Sequence, residues 1–401
     1  MGLQNGVGER RVWVEPVFKA HSGYVFKELM PYPPEGYRFV REPDSKEILA
    51  STISKNEWSV RAYDFVANKL PLQFLVSIYK TMDTSPKRNA DITLSLHHLV
   101  FRDEPWILET DLIYEVIGWD FRMFWKLKEL VRNKLESANA KCVIFWSKFG
   151  KNLAEQLVPW NSVWSKSYVV PRAVHPKGRR DLRQNNSDVV RFLFMGSANS
   201  ANEFIYRGGP EVLEAFSRLE KYRSNCELVV RSEVPPSYIA RYSSMFKAGR
   251  VRLIDHYLDE MSLSLLYRNS DVLVFPGHYE SWVVALEAMS YGIPVIATNQ
   301  WQISDIVENG RTGLLIPESS SIKSNPGGIP FSIKTGKLRR AILKGPYEDQ
   351  LTELEGALVT MVDNKAFRRQ MGQNALDETR AGEHSMENRN RVLKKVLDDV
   401  F

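Results

Sequence analysis

The sequence predicts an α/β protein made of two Rossmann-like domains, each built on a parallel sheet. Three observations carry that expectation. At 401 residues the chain exceeds what one ordinary hydrophobic core organises. Short apolar runs alternate with longer amphipathic ones almost throughout, the pattern of buried parallel strands covered by helices. Residues 173–190 (AVHPKGRRDLRQNNSDVV) are polar, basic and turn-rich, and read as a linker between the halves. The expected division is 1–186, 187–380, and a terminal helix over 381–401 that returns to the N-terminal domain.

In the first half, Arg11–Phe18 reads as a strand and Tyr24–Met30 as the start of a helix. Further strands are expected at Tyr37–Val40, Ile92–Leu96, Trp106–Leu108, Val143–Trp146 and Ser167–Val170. The second half is more regular. Strands are expected at Val190–Met195, Cys226–Arg231, Val251–Asp255, Asp271–Pro276, Pro294–Thr298 and Gly313–Ile316. Helices are expected at Pro210–Leu219, Met261–Tyr267 and Trp282–Ser290, then at Asp349–Val362, Ala366–Thr379 and Met386–Val400. Residues 318–349 break the rhythm and read as an excursion or lid.

Composition narrows the class. Hydrophobic content of 43% and charged content of 25% are those of a soluble globular protein. No stretch approaches the roughly 18 apolar residues of a membrane span. The opening MGLQNGVGERRVWVEP lacks the apolar core of a signal peptide, so a cytoplasmic location is expected. Cys142 and Cys226 have no metal-ligand or C-x-x-C spacing and read as reduced, buried thiols. The sequon Asn185-Asn186-Ser187 carries no weight without secretion.

The charge is uneven. Residues 1–186 hold 28 basic and 21 acidic side chains, and residues 187–401 hold 26 and 27. All the positive excess lies in the N-terminal half, which favours anionic surfaces such as lipid headgroups or phosphorylated acceptors. Within it, Asp120–Ser137 (DFRMFWKLKELVRNKLES) is an amphipathic helix. Phe121, Phe124, Trp125, Val131 and Leu135 lie toward one side, and Arg122, Lys126, Lys128, Arg132 and Lys134 supply the charge. Such a helix either covers the sheet or meets an anionic membrane peripherally. No aromatic-basic module of a nucleic-acid binder is present.

Open parallel sheets bind ligands beyond the carboxyl ends of their strands, where helix N-termini collect anions. Three such ends are candidates. The first is Met195-Gly196-Ser197, followed by Arg207-Gly208-Gly209, in which Gly196 permits close backbone approach and Arg207 can clamp a diphosphate. The second is Gly277-His278-Tyr279-Glu280 running into a helix. Here Glu280 can hold sugar hydroxyls, and the free N–H groups of Ser281, Trp282 and Val283 can take phosphate oxygens. Glu287, two turns on among apolar neighbours, needs a partner, which ribose hydroxyls or a salt bridge could be. The third end is N-terminal: His21-Ser22-Gly23 after the first strand, and His97-His98 after Ile92–Leu96. Either histidine can be a packed residue or a ligand.

The run from Leu258-Asp259-Glu260 through Asp271-Val272-Leu273-Val274, Glu280, Glu287-Ala288-Met289, Gly292-Ile293-Pro294-Val295 and Ile306-Val307-Glu308-Asn309-Gly310-Arg311-Thr312-Gly313-Leu314 resembles glycosyltransferase family 4, also called group 1. With Phe192–Phe216 the resemblance covers most of the C-terminal domain. It implies the GT-B architecture of two facing domains, retention of anomeric configuration and no metal or organic cofactor. It also implies a nucleotide-sugar donor, UDP- or GDP-linked, and a glycan, lipid-linked or small-molecule acceptor. Residue by residue, it places Arg207 at the diphosphate, Glu280 at the transferred sugar and Glu287 at the ribose. One of His97 and His98, with His97 preferred, faces the reaction centre, and His21, Ser22 and Gly23 lie on the acceptor side.

The chain departs from the family at two points. Six residues separate Glu280 from Glu287 where the family has seven, and the glycine-aromatic-glycine turn after the first glutamate is missing. Gly196-Ser197 stands where a basic residue is common, so Arg231 is the expected helper of Arg207. Base contacts are expected near His256 and Tyr257. The expected activity is retaining sugar transfer. The alternative is a non-catalytic sugar-nucleotide or glycan-binding protein degenerate at the shortened motif.

Overall fold

A computed structural model describes residues 9–16, 30–41, 89–118, 121–178, 188–198, 200–278, 282–322 and 336–401. The chain divides into two compact units, one of Met1–Arg172 with Arg389–Phe401 and one of Ala173–Asn388. The crossings thus fall at 172/173 and 388/389, where the sequence suggested 186/187 and 380/381.

The first unit holds a six-stranded sheet in the order β2-β1-β3-β4-β5-β6. Its strands are β1 (Arg10–Pro16), β2 (Tyr37–Val40), β3 (Ile92–Leu96), β4 (Trp106–Thr110), β5 (Ala140–Phe145) and β6 (Ser167–Val169), paired in parallel throughout. Every residue of β3 and β4 is buried, as expected of strands covered on both faces. The helix Phe121–Glu136 supplies part of that cover: Phe124, Val131 and Leu135 are wholly buried, while Trp125 is 38% exposed. Full burial of such side chains contributes about 1.5–3 kcal/mol each. The core has therefore taken the apolar face that a membrane would need. Of the cations, Arg132 pairs with Glu136 and Lys134 lies over the Phe101 ring.

The last helix, Met386–Val400, is tied to this unit by Tyr37, whose hydroxyl donates to Asp398 Oδ1 at 2.7 Å, and by Arg10 stacked over Phe401. The expected helix start at Tyr24 lies outside the described residues.

The second unit carries β7 (Val190–Met195), β8 (Cys226–Arg231), β9 (Val251–Ile254), β10 (Val272–Phe275), β11 (Val295–Thr298) and β12 (Gly313–Ile316) in the order β12-β11-β10-β7-β8-β9. All pairings are parallel. Read from the first strand of the unit, this is the doubly wound order 3-2-1-4-5-6, whose direction reverses between β7 and β10. Phe192, Phe194, Phe204, Phe216, Leu228, Val230 and Met361 form its core with the helices Gly209–Leu219 and Glu348–Asp363. Cys142 and Cys226 are free and buried, one in each unit.

Within the irregular stretch 318–349, Ile322 and Ile342 pack with Tyr206, and Arg339 Nε donates to the Tyr206 hydroxyl at 3.2 Å. The described part of this excursion is thus docked on the helix Ala201–Tyr206.

Candidate functional site

The reversal between β7 and β10 opens the crevice where doubly wound sheets bind their ligands. Gly196 follows β7, and a Cβ there would stand 2.2 Å from Ser232 Oγ. The glycine is therefore demanded by packing against the end of β8. At Gly208 the requirement is stricter: φ is +82°, and a Cβ would lie 2.3 Å from the Pro276 carbonyl oxygen. That contact seats the start of helix Gly209–Leu219 against the end of β10. His278 reinforces it, since its N–H donates to the Tyr206 carbonyl at 2.8 Å and its Nε2 lies 3.1 Å from Glu211 Oε1.

Two cations converge on this end of the sheet. Arg207 reaches the Gly196 carbonyl at 3.3 Å and Glu203 at 3.2 Å, with its side chain 19% exposed. Arg231 closes β8, and its buried Nε has no hydrogen-bond partner among the described residues. Burial holds its guanidinium below the ordinary value, and the positive charge of Arg207 pushes in the same direction. The two like charges disfavour each other, and Glu203 offsets that of Arg207.

Other expected donor contacts stand differently. Glu280 and Ser281 lie outside the described residues. Trp282 is buried and Val283 partly buried at the start of helix Trp282–Ser290, in the first turn, where N–H groups lack intrahelical acceptors. Glu287 has protein partners: Lys177 Nζ at 3.4 Å, and Tyr267, whose hydroxyl donates at 3.4 Å. Its need for a partner therefore does not point to ribose, and the salt-bridge reading is the one observed. Burial and the adjacent Glu287 hold the Tyr267 phenol well above its usual value. Ser197 accepts from the Glu233 N–H at 2.7 Å through its carbonyl. Beyond β9, His256 and Tyr257 are strongly exposed, Tyr257 at 75%.

In the first unit the order reverses between β1 and β3, so His97 and His98 stand at the corresponding strand end. Both are buried. His98 Nδ1 lies 3.0 Å from the Leu96 carbonyl, and burial pushes its imidazole down to about 4. His97 has a left-handed backbone, φ +61°, and its Nδ1 lies 2.6 Å from Glu115 Oε2. The Trp146 ring meets the His97 ring edge-on at 4.5 Å, and Trp146 Nε1 donates to Glu109 Oε1 at 2.7 Å. Glu115 and Glu109 escaped the sequence reading. Their one signal is an acidic residue inside an otherwise apolar or aromatic run, as in Leu112-Ile113-Tyr114-Glu115-Val116-Ile117. His21, Ser22 and Gly23 lie outside the described residues. Among the described residues, no three His, Cys, Asp or Glu side chains are grouped to hold a metal ion, and no helix is long and apolar enough to cross a membrane.

Residues 187–324 match the family model for Glycosyl transferases group 1. The matched segment is similar to that family. It contains both arginines and the whole β7–β10 crevice. Over 144 residues the chain is 46% identical to the D-inositol 3-phosphate glycosyltransferase of Paenarthrobacter aurescens, covering 34% of each protein. Over 140 residues it is 30% identical to the capsular polysaccharide biosynthesis glycosyltransferase CapM of Staphylococcus aureus, covering 34% of this chain and 36% of that one. The matches span about a third of the length of these two relatives.

The solved structure of Anabaena Alr3699/HepE, a complex with UDP and glucose, aligns over 97% of this chain and 99% of its own with a TM-score of 0.57 at 12% identity. Sucrose-phosphate synthase of Thermosynechococcus elongatus aligns over 98% and 99%, with a TM-score of 0.57 at 15% identity. At such identities the likeness establishes the fold alone, which is the GT-B fold.

Proposed function

We propose that the protein is a retaining glycosyltransferase that moves a sugar from a nucleoside-diphosphate sugar, UDP- or GDP-linked, to a glycan, lipid-linked or small-molecule acceptor. The observation that carries this reading is the pairing of Arg207 with a partly buried Arg231 at the switch point of a domain similar to group 1 glycosyl transferases. Two guanidinium groups match the two phosphates of a nucleoside diphosphate in charge and in hydrogen-bond donors. Departure of that diphosphate builds negative charge, which the arginines and the N–H groups at the start of helix Trp282–Ser290 stabilise.

Glu280 is assigned to the transferred sugar and Glu287 to the ribose on the family pattern, with Lys177 and Tyr267 holding the Glu287 carboxylate in place. The acceptor hydroxyl attacks from the leaving-group side and gives its proton to a departing phosphate oxygen. No metal or organic cofactor is part of this scheme.

The test is a panel of nucleotide sugars screened by thermal stabilisation, followed by product analysis. A donor at 100 times its dissociation constant adds about 2.7 kcal/mol of stability. One or a few uridine or guanosine diphosphate sugars should raise the melting temperature, and NMR of the product should show the donor's anomeric configuration. Stabilisation without transfer to any acceptor or to water would instead support a binding protein.

A further inference from the structure

Beside Arg207 a buried histidine meets a buried carboxylate. His278, just beyond β10, exposes none of its side chain, and Glu211, in the first turn of helix Gly209–Leu219, exposes 2%. A carboxylate accepts hydrogen bonds, so His278 Nε2 carries the ring proton and donates it to Glu211 Oε1 across 3.1 Å. The other half of each group goes unused. His278 Nδ1 and Glu211 Oε2 are buried and have no hydrogen-bond partner among the described residues. We propose that His278 and Glu211 are positioning residues: they fix the chain leaving β10 against Arg207, and so set the spacing between diphosphate and transferred sugar. The ligands in this statement rest on the transferase reading above.

A half-satisfied buried pair is a poor source of stability. Each unpartnered atom keeps its desolvation cost, and apolar side chains of similar shape are often as stable or more so. What the pair supplies instead is direction, because a hydrogen bond weakens steeply outside a narrow range of angles and distances.

Its place in the fold puts that direction to use. A Cβ at Gly277 would stand 3.6 Å from Arg207 Cα, so the chain leaving β10 runs directly against the Arg207 backbone. The His278 N–H donates to the Tyr206 carbonyl at 2.8 Å, and Gln300 Nε2 donates to the Gly277 carbonyl. Those bonds hold the backbone on the near side of Arg207, and the His278 ring holds it on the far side, at Glu211. Arg207 is thereby bracketed by contacts at 206 and 211. Glu280 follows His278 by two residues, so the bracket ties the diphosphate end to the segment assigned to the sugar. A Cβ at Gly345 would come within 3.2 Å of Glu211 Oε1, so the excursion 318–349 covers the pair from another side.

The double variant Glu211→Leu/His278→Leu removes the pair without leaving either partner alone. Its denaturation midpoint should be no lower than that of wild type. Hydrogen exchange of the amide at position 278, corrected for its intrinsic rate, should nonetheless quicken roughly 2–10-fold while β7 and β8 keep their protection. UDP or GDP affinity should hold, since both arginines remain, and kcat should fall on the order of 10–100-fold through misplacement. Glu211→Gln keeps an acceptor oxygen for the Nε2 proton and should retain wild-type exchange and most of the turnover. Wild-type exchange at position 278 in the double variant would show that the pair holds nothing there. Lost stability with exchange quickened evenly across the unit would make it a structural prop, and local quickening with unchanged kcat would put the spacing elsewhere. Each of these overturns the proposal. Absence of transfer by the wild-type protein would count against the transferase reading alone, because stability and exchange are measured without substrate.

Discussion

The carboxyl ends of β7 and β8 gather two guanidinium groups, whereas those of β3 and β4 gather a histidine and carboxylates. In the second unit Arg207 is paired with Glu203, while the partly buried Arg231 is held below its ordinary value by burial and by the charge of Arg207. In the first, Arg102 pairs with Glu15 and Glu104, and His97 Nδ1 lies against Glu115. The same topological feature, a reversal of strand order, thus carries two cations at one end and a histidine among carboxylates at the other. Both ends include left-handed backbone, at Gly208 in one and His97 in the other.

The largest effect that distinguishes the two ends should come from Gly208→Ala. A left-handed alanine costs roughly 1–2 kcal/mol, and overpacking against the Pro276 carbonyl roughly 1–3 more, so about 3–4 kcal/mol of stability should be lost. Chemical denaturation measures it. A variant of wild-type stability would mean that the helix start and the end of β10 are not held in the contact described.

A slightly smaller effect belongs to the first unit and depends on pH. His98 is held at about 4 in the fold against about 6.5 unfolded, so the unfolded chain binds the extra proton. The contribution is complete above the unfolded value, and as pH falls from 6.5 to 4 it should cost on the order of 3 kcal/mol. Denaturation midpoints between pH 7 and 4.5 should fall less steeply for His98→Gln than for wild type. Parallel slopes would show that other groups govern acid sensitivity there.

Much of the fold was legible because parallel strands buried on both faces leave unbroken apolar runs. Tyr37–Val40, Ile92–Leu96, Val190–Met195, Cys226–Arg231 and Gly313–Ile316 have the bounds read from sequence. Errors fell where polar residues enter the sheet or leave it. β4 runs on through Glu109 and Thr110, whose polarity looked like a strand end but finds partners in Trp146 and Glu115. Asp271 was included in β10, yet its carboxylate accepts from the Arg191 N–H at 2.8 Å just before the strand begins. In the site, Arg207 was visible from its glycine-rich setting. Arg231 could be suspected only from its place at a strand end, and Glu115 reaches His97 through a fold-back after β4. Glu287 shows the converse limit: sequence required a partner for it, and could not say that Lys177 and Tyr267 would provide one.

The central claim, that the end of β7 and β8 is a nucleoside diphosphate site, is tested most directly by titration calorimetry. UDP and GDP should be titrated into wild-type protein, Arg207→Ala and Arg231→Ala, with folding checked for each. Each substitution removes charge-assisted hydrogen bonds of about 1.5–3 kcal/mol, so the preferred nucleotide should bind roughly 10–150-fold more weakly. Wild-type affinity in both folded variants would place the phosphates elsewhere and contradict the account.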